Sequence, residues 1–230
     1  MKKTFWKYFS KGEIFLWSVS SFLILLSFFI FGKEDYLTLT ASLIGVTSLI
    51  FNAKGNPFGQ LLMIVFSIFY GIISWSFSYY GEMITYLGMT APMAIAALIS
   101  WLKNPYGKNR SQVKVGKLRR GEGVFLFFLT AFVTVAFYFI LKIFNTANLI
   151  PSTLSVTTSF VAAYLTFRRS PYFALAYAAN DIVLMVLWVL ASVTDISYVP
   201  VIVCFAVFLL NDLYGFYNWL KMEKRQRYHE

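Results

Sequence analysis

The sequence predicts an all-α, polytopic membrane protein with eight transmembrane helices. Of its 230 residues, 59% are hydrophobic and only 13% are charged, whereas about 25% of the residues in a soluble domain are charged. The apolar residues fall into eight runs, each close to the roughly 20 residues that a helix needs to cross a bilayer core. The basic residues lie between these runs, and nearly all of them fall in alternate connections.

The eight spans are bounded by charged residues or by residues that favour turns. The first span follows a basic N-terminal segment but lacks the small-residue cleavage site of a signal peptide, so we expect it to remain as a helix. The predicted spans are 14–31, 36–53, 57–79, 83–102, 124–144, 149–167, 171–193 and 197–220.

The distribution of basic residues predicts the orientation of these spans. If the N-terminus is cytoplasmic, 18 of the 20 Lys and Arg residues lie on the cytoplasmic side, and only Lys33 and Lys142 lie on the other side. Because basic residues accumulate in cytoplasmic connections, both ends of the chain are predicted to be cytoplasmic. Contact with anionic lipid then accounts for the net charge of +10, and no nucleic acid partner is expected.

Spans two to four and spans six to eight share a plan. Each triplet has a basic turn containing Pro57 or Pro171, an acidic turn containing Glu82 or Asp195, and a last helix that ends Trp-Leu-Lys. This pattern predicts two parallel three-helix repeats joined by the fifth span, a 3+1+3 arrangement typical of transporters whose site lies between the repeats. The alternative is that basic turns and terminal Trp residues recur in unrelated membrane proteins.

The repeat divides the chain into five predicted segments. Residues 1–35 are a cytoplasmic N-terminal segment and an extra span, and residues 36–103 are the first three-helix repeat. Residues 104–148 are a basic cytoplasmic loop and the linker span. Residues 149–221 are the second repeat, and residues 222–230 are a cytoplasmic tail.

Polar side chains inside the spans predict a binding cavity, because buried charges usually face a cavity or a partner. On the seventh span, Tyr177, Asp181 and Trp188 share one face at i, i+4 and i+11. Hydroxyl and aromatic groups with carboxylates suit a flat, hydroxyl-rich, cationic solute. A structural hydrogen bond between helices is the alternative for each carboxyl group. The candidate substrate-binding residues are Gln60, Ser67, Tyr70, Thr90, Tyr177, Asn180, Asp181, Trp188, Asn211, Asp212, Tyr214 and Asn218.

On the eighth span, Asn211, Tyr214 and Asn218 share a face, and Asp212 lies at its border. Motifs of enzymes are missing from the sequence, which has no glycine-rich phosphate loop and no metalloprotease or serine-hydrolase motif. It has a single cysteine, Cys204, and a single histidine, His229, in the predicted tail. We therefore expect neither an enzyme nor a cofactor or metal site.

Several short motifs between about residue 36 and residue 221 resemble those of PnuC-type vitamin transporters. They are Asn52-Ala53-Lys54-Gly55-Asn56, Tyr80-Gly81-Glu82-Met83, Pro92-Met93, Ser152-Thr153-Leu154-Ser155, Arg168-Arg169, Ala179-Asn180-Asp181-Ile182 and Tyr214-Gly215-Phe216-Tyr217-Asn218-Trp219. The resemblance implies a SWEET-like fold in a bacterial cytoplasmic membrane. It also implies uptake of nicotinamide riboside for NAD biosynthesis by facilitated diffusion, with intracellular phosphorylation trapping the substrate.

The resemblance leaves the identity of the vitamin open. Family members that resemble the riboside carriers often have a Trp pair before the Asn of the seventh span, where this chain reads Tyr172-Phe173-Ala174-Leu175-Ala176-Tyr177. A transporter of the same fold for thiamine or riboflavin, with or without proton coupling, is the first alternative. A receptor or scaffold that does not transport is the remote one. We also expect a homo-oligomer, for which a trimer is one option.

Overall fold

The computed structural model describes residues 8–31, 36–76, 79–107 and 111–228. Within this part of the chain, eight helices are long and apolar enough to cross a membrane, which confirms the predicted all-α, eight-span fold. Six of the basic residues on which the predicted orientation rests lie outside the described residues, as does His229. These basic residues are Lys2, Lys3, Lys7, Lys33, Lys108 and Arg110.

The helices follow the predicted spans closely. They are α1 (Lys11–Phe31), α2 (Tyr36–Ala53), α3 (Pro57–Ser76), α4 (Tyr80–Thr85), α5 (Ala91–Lys103), α6 (Glu122–Ile143), α7 (Leu149–Phe167), α8 (Tyr172–Ser192) and α9 (Val199–Tyr228). A π-helical turn, Tyr86–Thr90, joins α4 to α5, and these three pieces form the fourth span. A 3₁₀ turn, Ile196–Tyr198, precedes α9.

The π turn lies just before Pro92, and the chemistry of proline explains its position. Pro92 has no backbone N–H, and its ring would clash with the carbonyl of residue 88 in a regular α-helix. The chain widens instead, so that the N–H of Ala91 bonds to the carbonyl of Tyr86. The sequence prediction of an unbroken helix missed this turn.

The prediction that Glu82 lies in a turn between spans is wrong. Glu82 belongs to the first turn of α4, and its side chain is completely buried. The preceding Gly81 permits this, because a Cβ at that position would come within 2.6 Å of Thr146 Cγ2 and 2.9 Å of Leu141 Cδ2. The start of α4 therefore packs closely against the end of α6 and the connection between α6 and α7.

Six helices form a closed ring. In order around it they are α2, α3, α5, α7, α8 and α9, and α9 packs against α2. Helix α1 packs outside the ring against α2 and α9, and α6 packs against α7. This order is compatible with two groups of three helices linked by α6, although the internal repeat and the segment boundaries stay predictions.

The basic connection, residues 104–121, is described at residues 104–107 and 111–121, and these residues pack across one end of this ring. The N–H of Val113 donates to the carbonyl of Gly55 at 2.8 Å, and the N–H of Gly116 donates to the carbonyl of Arg169 at 2.9 Å. Helix α9 extends eight residues past its predicted end, and its buried Gln226 bonds to the carbonyl of Val113 at 3.0 Å. The connections predicted to be cytoplasmic therefore meet at the same end of the molecule.

Candidate functional site

A cavity of about 30 Å³ lies inside the ring of helices. That volume holds about one water-sized group. A vitamin-sized solute fits only after helices or side chains move apart, so the site is contracted in this structure. The polar residues that line it are Thr90, Ser159, Tyr177, Asn180, Asp181 and Asp212, and the apolar and aromatic ones are Leu49, Met63, Phe66, Tyr86, Phe205 and Phe208.

Helices α8 and α9 bring two carboxyl groups together in this cavity. Asp181 and Asp212 are 3% and 5% exposed, and their carboxyl groups lie side by side. Among the described residues, Oδ2 of Asp181 has no hydrogen-bond partner, and no described Lys or Arg lines the cavity. The cavity therefore offers buried acidic groups without a basic partner, an arrangement suited to a cation.

The side chain of Asn180 is held by helix α7. Its Oδ1 atom lies 2.8 Å from Thr158 Oγ1 and 3.0 Å from Ser159 Oγ. With the oxygen bonded in this way, the amide NH₂ group is the part of Asn180 that can donate to a solute hydroxyl. Sequence analysis missed Thr158 and Ser159. The many Ser and Thr residues along α7 are the sequence feature from which they could have been predicted.

The π turn adds Tyr86 and Thr90 to the cavity wall. The hydroxyl of Thr90 is buried and has no partner among the described residues. The ring of Tyr86 packs against Tyr70, with the ring centres 4.3 Å apart. Tyr86 was not predicted as a site residue, because a regular helix gives no indication of the widened turn that carries it.

An aromatic layer covers the cavity on the side away from the basic connection. We define it as Tyr70, Tyr79, Trp188 and Tyr198. The indole N–H of Trp188 donates to the hydroxyl of Tyr70 at 2.5 Å. The centre of the Trp188 ring lies 5.0 Å from the ring centre of Tyr79 and 5.5 Å from that of Tyr198. Two predicted site residues, Tyr70 and Trp188, thus belong to this layer and not to the lining of the contracted cavity.

The face of α9 that carries Asn211, Tyr214 and Asn218 is directed at neighbouring helices. Asn211 donates to Ser20 Oγ at 2.9 Å, and Asn218 donates to the carbonyl of Ala53 at 2.7 Å. The hydroxyl of Tyr214 bonds to a carboxyl oxygen of α1 at 3.1 Å. Asp212, at the border of this face, is the residue of the group that reaches the cavity.

The two remaining candidates, both on α3, also form hydrogen bonds within the protein. Gln60 Nε2 donates to Asn52 Oδ1 at 2.9 Å, and Ser67 Oγ donates to the carbonyl of Met63 at 2.8 Å. Of the twelve predicted site residues, the structure therefore brings five to the cavity: Thr90, Tyr177, Asn180, Asp181 and Asp212.

The sequence model of the family described as nicotinamide mononucleotide transporter matches residues 35–221. The chain belongs to this family. This result confirms the resemblance to PnuC-type transporters.

Two relatives of this chain are described as nicotinamide riboside transporters and are distant in sequence. The nicotinamide riboside transporter PnuC of Neisseria mucosa is 23% identical over 201 residues, which are 86% of this chain and 76% of the relative. The PnuC of Haemophilus influenzae, of the same description, is 22% identical over 193 residues, 84% of this chain and 82% of the relative.

A solved structure has the same fold. The crystal structure of the vitamin B3 transporter PnuC aligns with a TM-score of 0.80 and 21% sequence identity. The alignment covers 95% of this chain and 94% of that chain. The two chains therefore share one fold over nearly their whole lengths.

Proposed function

We propose that this chain takes up nicotinamide riboside across a bacterial cytoplasmic membrane by facilitated diffusion. The observation that carries the proposal is the central pair of carboxyl groups, Asp181 and Asp212, in a cavity with Asn180 and Tyr177, in a chain of the nicotinamide mononucleotide transporter family. The pyridinium ring of the riboside is a flat cation, which aromatic faces and carboxylates attract. Intracellular phosphorylation would keep the inward gradient and would take place on another protein.

The five cavity residues are proposed as the first contacts of the solute. Asp181 and Asp212 balance the positive ring, Tyr177 stacks against it, and Asn180 and Thr90 bond to ribose hydroxyls. Because the cavity holds about one water-sized group, the ring of helices has to widen for this to occur. The other candidates, Gln60, Ser67, Tyr70, Trp188, Asn211, Tyr214 and Asn218, become available only if that widening breaks their present contacts.

The test is uptake of labelled nicotinamide riboside into proteoliposomes without an ion or proton gradient. We expect saturable uptake that stops at equal concentrations inside and outside, because facilitated diffusion dissipates a gradient and does not create one. Liposomes without protein give the background. An absence of saturable flux would contradict the proposal, and release of a chemically altered solute would indicate an enzyme instead.

Thiamine transport is the second candidate function. The observation that favours it is the segment before Asn180, where Phe173 packs 4.9 Å from the ring of Trp219, away from the cavity. This segment contains no Trp, and Tyr177 is its aromatic residue at the cavity wall. Thiamine is also a cationic heteroaromatic. Calorimetric binding of nicotinamide riboside, thiamine and riboflavin to the purified protein distinguishes these solutes.

The same proposal includes cytoplasmic N- and C-termini, lipid contacts by the basic end, and a homo-oligomer, with a trimer as one option. The apolar outer surface of α6 fits the hydrocarbon core of the bilayer, since side chains such as Phe127, Phe128 and Phe132 are exposed. Light scattering in detergent, corrected for bound detergent, gives the number of chains.

A further inference from the structure

Glu82 carries a further buried carboxyl group, which lies outside the cavity. Its side chain is completely buried in the first turn of α4, and neither carboxyl oxygen has a hydrogen-bond partner among the described residues. A buried carboxyl group without a partner is costly unless a proton or a cation accompanies it. Such groups in membrane proteins usually serve transport of an ion or a solute.

The surroundings of Glu82 carry further polar atoms without partners. Ser155 of α7 lies beside the carboxyl group. Its buried Oγ has no hydrogen-bond partner in the described part of the chain, and the same holds for Oγ1 of Thr146, which packs against the neighbouring Gly81. One carboxyl group and two hydroxyl groups are therefore buried close together, and Ser155 is the hydroxyl placed to bond to the carboxyl group after a small movement.

Tyr86 connects this region to the central cavity. Its phenol lies near the carboxyl groups of both Glu82 and Asp181. Tyr86 begins the π turn, and π turns inside helices are frequent at functional sites. It follows Glu82 by one helical turn, about 6 Å along the axis. The buried acids thus form a line from the start of α4, through Tyr86, to Asp181 and Asp212.

We propose that Glu82, with Ser155, is a second binding station for the positively charged ring of the solute. It lies at the end of the ring of helices opposite the basic connection, which the proposed orientation places outside. The cationic solute binds there after the aromatic layer opens, and passes Tyr86 to reach Asp181. This inference rests on the proposed uptake of nicotinamide riboside and adds a step to it.

Glu82→Gln tests the proposal, because it keeps the size of the side chain and removes its charge. The control is Asp195→Asn, which removes an exposed acid near the same end of the molecule. Hydrogen bonds from the backbone and side chain of Ser197 lower the pKa of Asp195, so this control also removes a negative charge at neutral pH. Each full-length protein is measured for equilibrium binding of riboside and for initial uptake into proteoliposomes.

We expect Glu82→Gln to bind riboside at equilibrium within about twofold of the unaltered protein, because the central site is intact. Its initial uptake of riboside should fall about tenfold or more, since a charged station on the path is lost. Uptake of the uncharged dihydropyridine form should stay within about twofold, because that form gains little from a carboxylate. Asp195→Asn should transport both solutes at the original rates.

Three results would overturn the inference while leaving the proposed function in place. They are full riboside uptake by Glu82→Gln, an equal loss of uptake for the charged and uncharged solutes, and a loss of equilibrium binding. The second would mean a structural role or a protonation step, and the third would mean disruption of the central site. If the unaltered protein neither binds nor transports riboside, the proposed function fails, and with it the station for that solute.

Discussion

At the scale of single residues, the close approach of Asp181 and Asp212 is the main chemical feature of the cavity. Two ionised carboxylates side by side repel each other unless they share a proton or a cation lies between them. Aromatic rings of Tyr86 and Tyr177 line the same space. A positively charged ring therefore gains both from the carboxyl groups and from the aromatic faces, whereas an uncharged ring gains chiefly from the latter.

Asp181→Asn separates these two contributions, because it preserves shape and removes charge. We expect riboside affinity to fall about tenfold or more, equivalent to about 1.4 kcal/mol or more, with a smaller change for the uncharged dihydropyridine analogue. Titration calorimetry with both ligands measures this. A proton-coupled mechanism predicts a different result, in which binding is kept and flux no longer depends on a pH gradient. If neither property changes, Asp181 is structural.

Trp188 offers a second test at this scale, because it is fully buried and bonded to Tyr70. Trp188→Ala should lower the free energy of unfolding by about 3–5 kcal/mol through the cavity it leaves. Trp188→Phe should cost less, since most of the ring contact is retained. Thermal unfolding in detergent measures both losses of stability.

A contact between Trp188 and the solute would add an effect on binding. If Trp188 stacks on the solute, Trp188→Ala also loses about 1–3 kcal/mol of binding free energy. Equal affinity in both variants would exclude that contact.

At the scale of elements, residues 111–121 of the basic connection are bonded to the rest of the fold. Gln226 of α9 accepts from the N–H of Val115 at 2.8 Å and donates to the carbonyl of Val113 at 3.0 Å. Gly116 lies so close to the carbonyl of Arg168 that a Cβ atom would overlap with it. The last turns of α9 thus hold the connection against the end of the ring.

Gln226→Ala should release this connection while leaving the ring of helices folded. Removing the amide leaves the buried carbonyl of Val113 and the half-buried N–H of Val115 without this partner, which costs about 1–3 kcal/mol for the buried group. We expect trypsin to cleave at Lys114 and Lys117 about tenfold faster or more, because cleavage follows the population of the open form. Glu223→Gln, on the same helix but paired with Arg227, is the control. Equal cleavage rates in the two variants would show that Gln226 does not hold the connection.

At the scale of the whole molecule, the sequence predicts the number of helices well, because length and hydropathy determine which segments can cross a bilayer. It predicts Asp181 in the cavity because an ionisable side chain inside a span is costly in lipid and faces the interior of the helix bundle instead. It does not predict that Asn211, Tyr214 and Asn218 face α1 and α2, since a polar face looks the same whether it meets a cavity or another helix. The sequence prediction placed Glu82 in a turn for a similar reason, because an acidic residue next to a glycine is also the composition of an exposed turn.

The orientation of the whole molecule in the membrane gives the last prediction. Ser111 is exposed at the end of the ring where the basic connections meet, and Ser197 is exposed near the opposite end. The single native cysteine, Cys204, is buried and gives little background. If the basic end is cytoplasmic, as basic connections generally are, an impermeant thiol reagent applied to intact cells should label Ser197→Cys and spare Ser111→Cys. Permeabilised cells should label both, and the reverse pattern in intact cells would invert the proposed orientation.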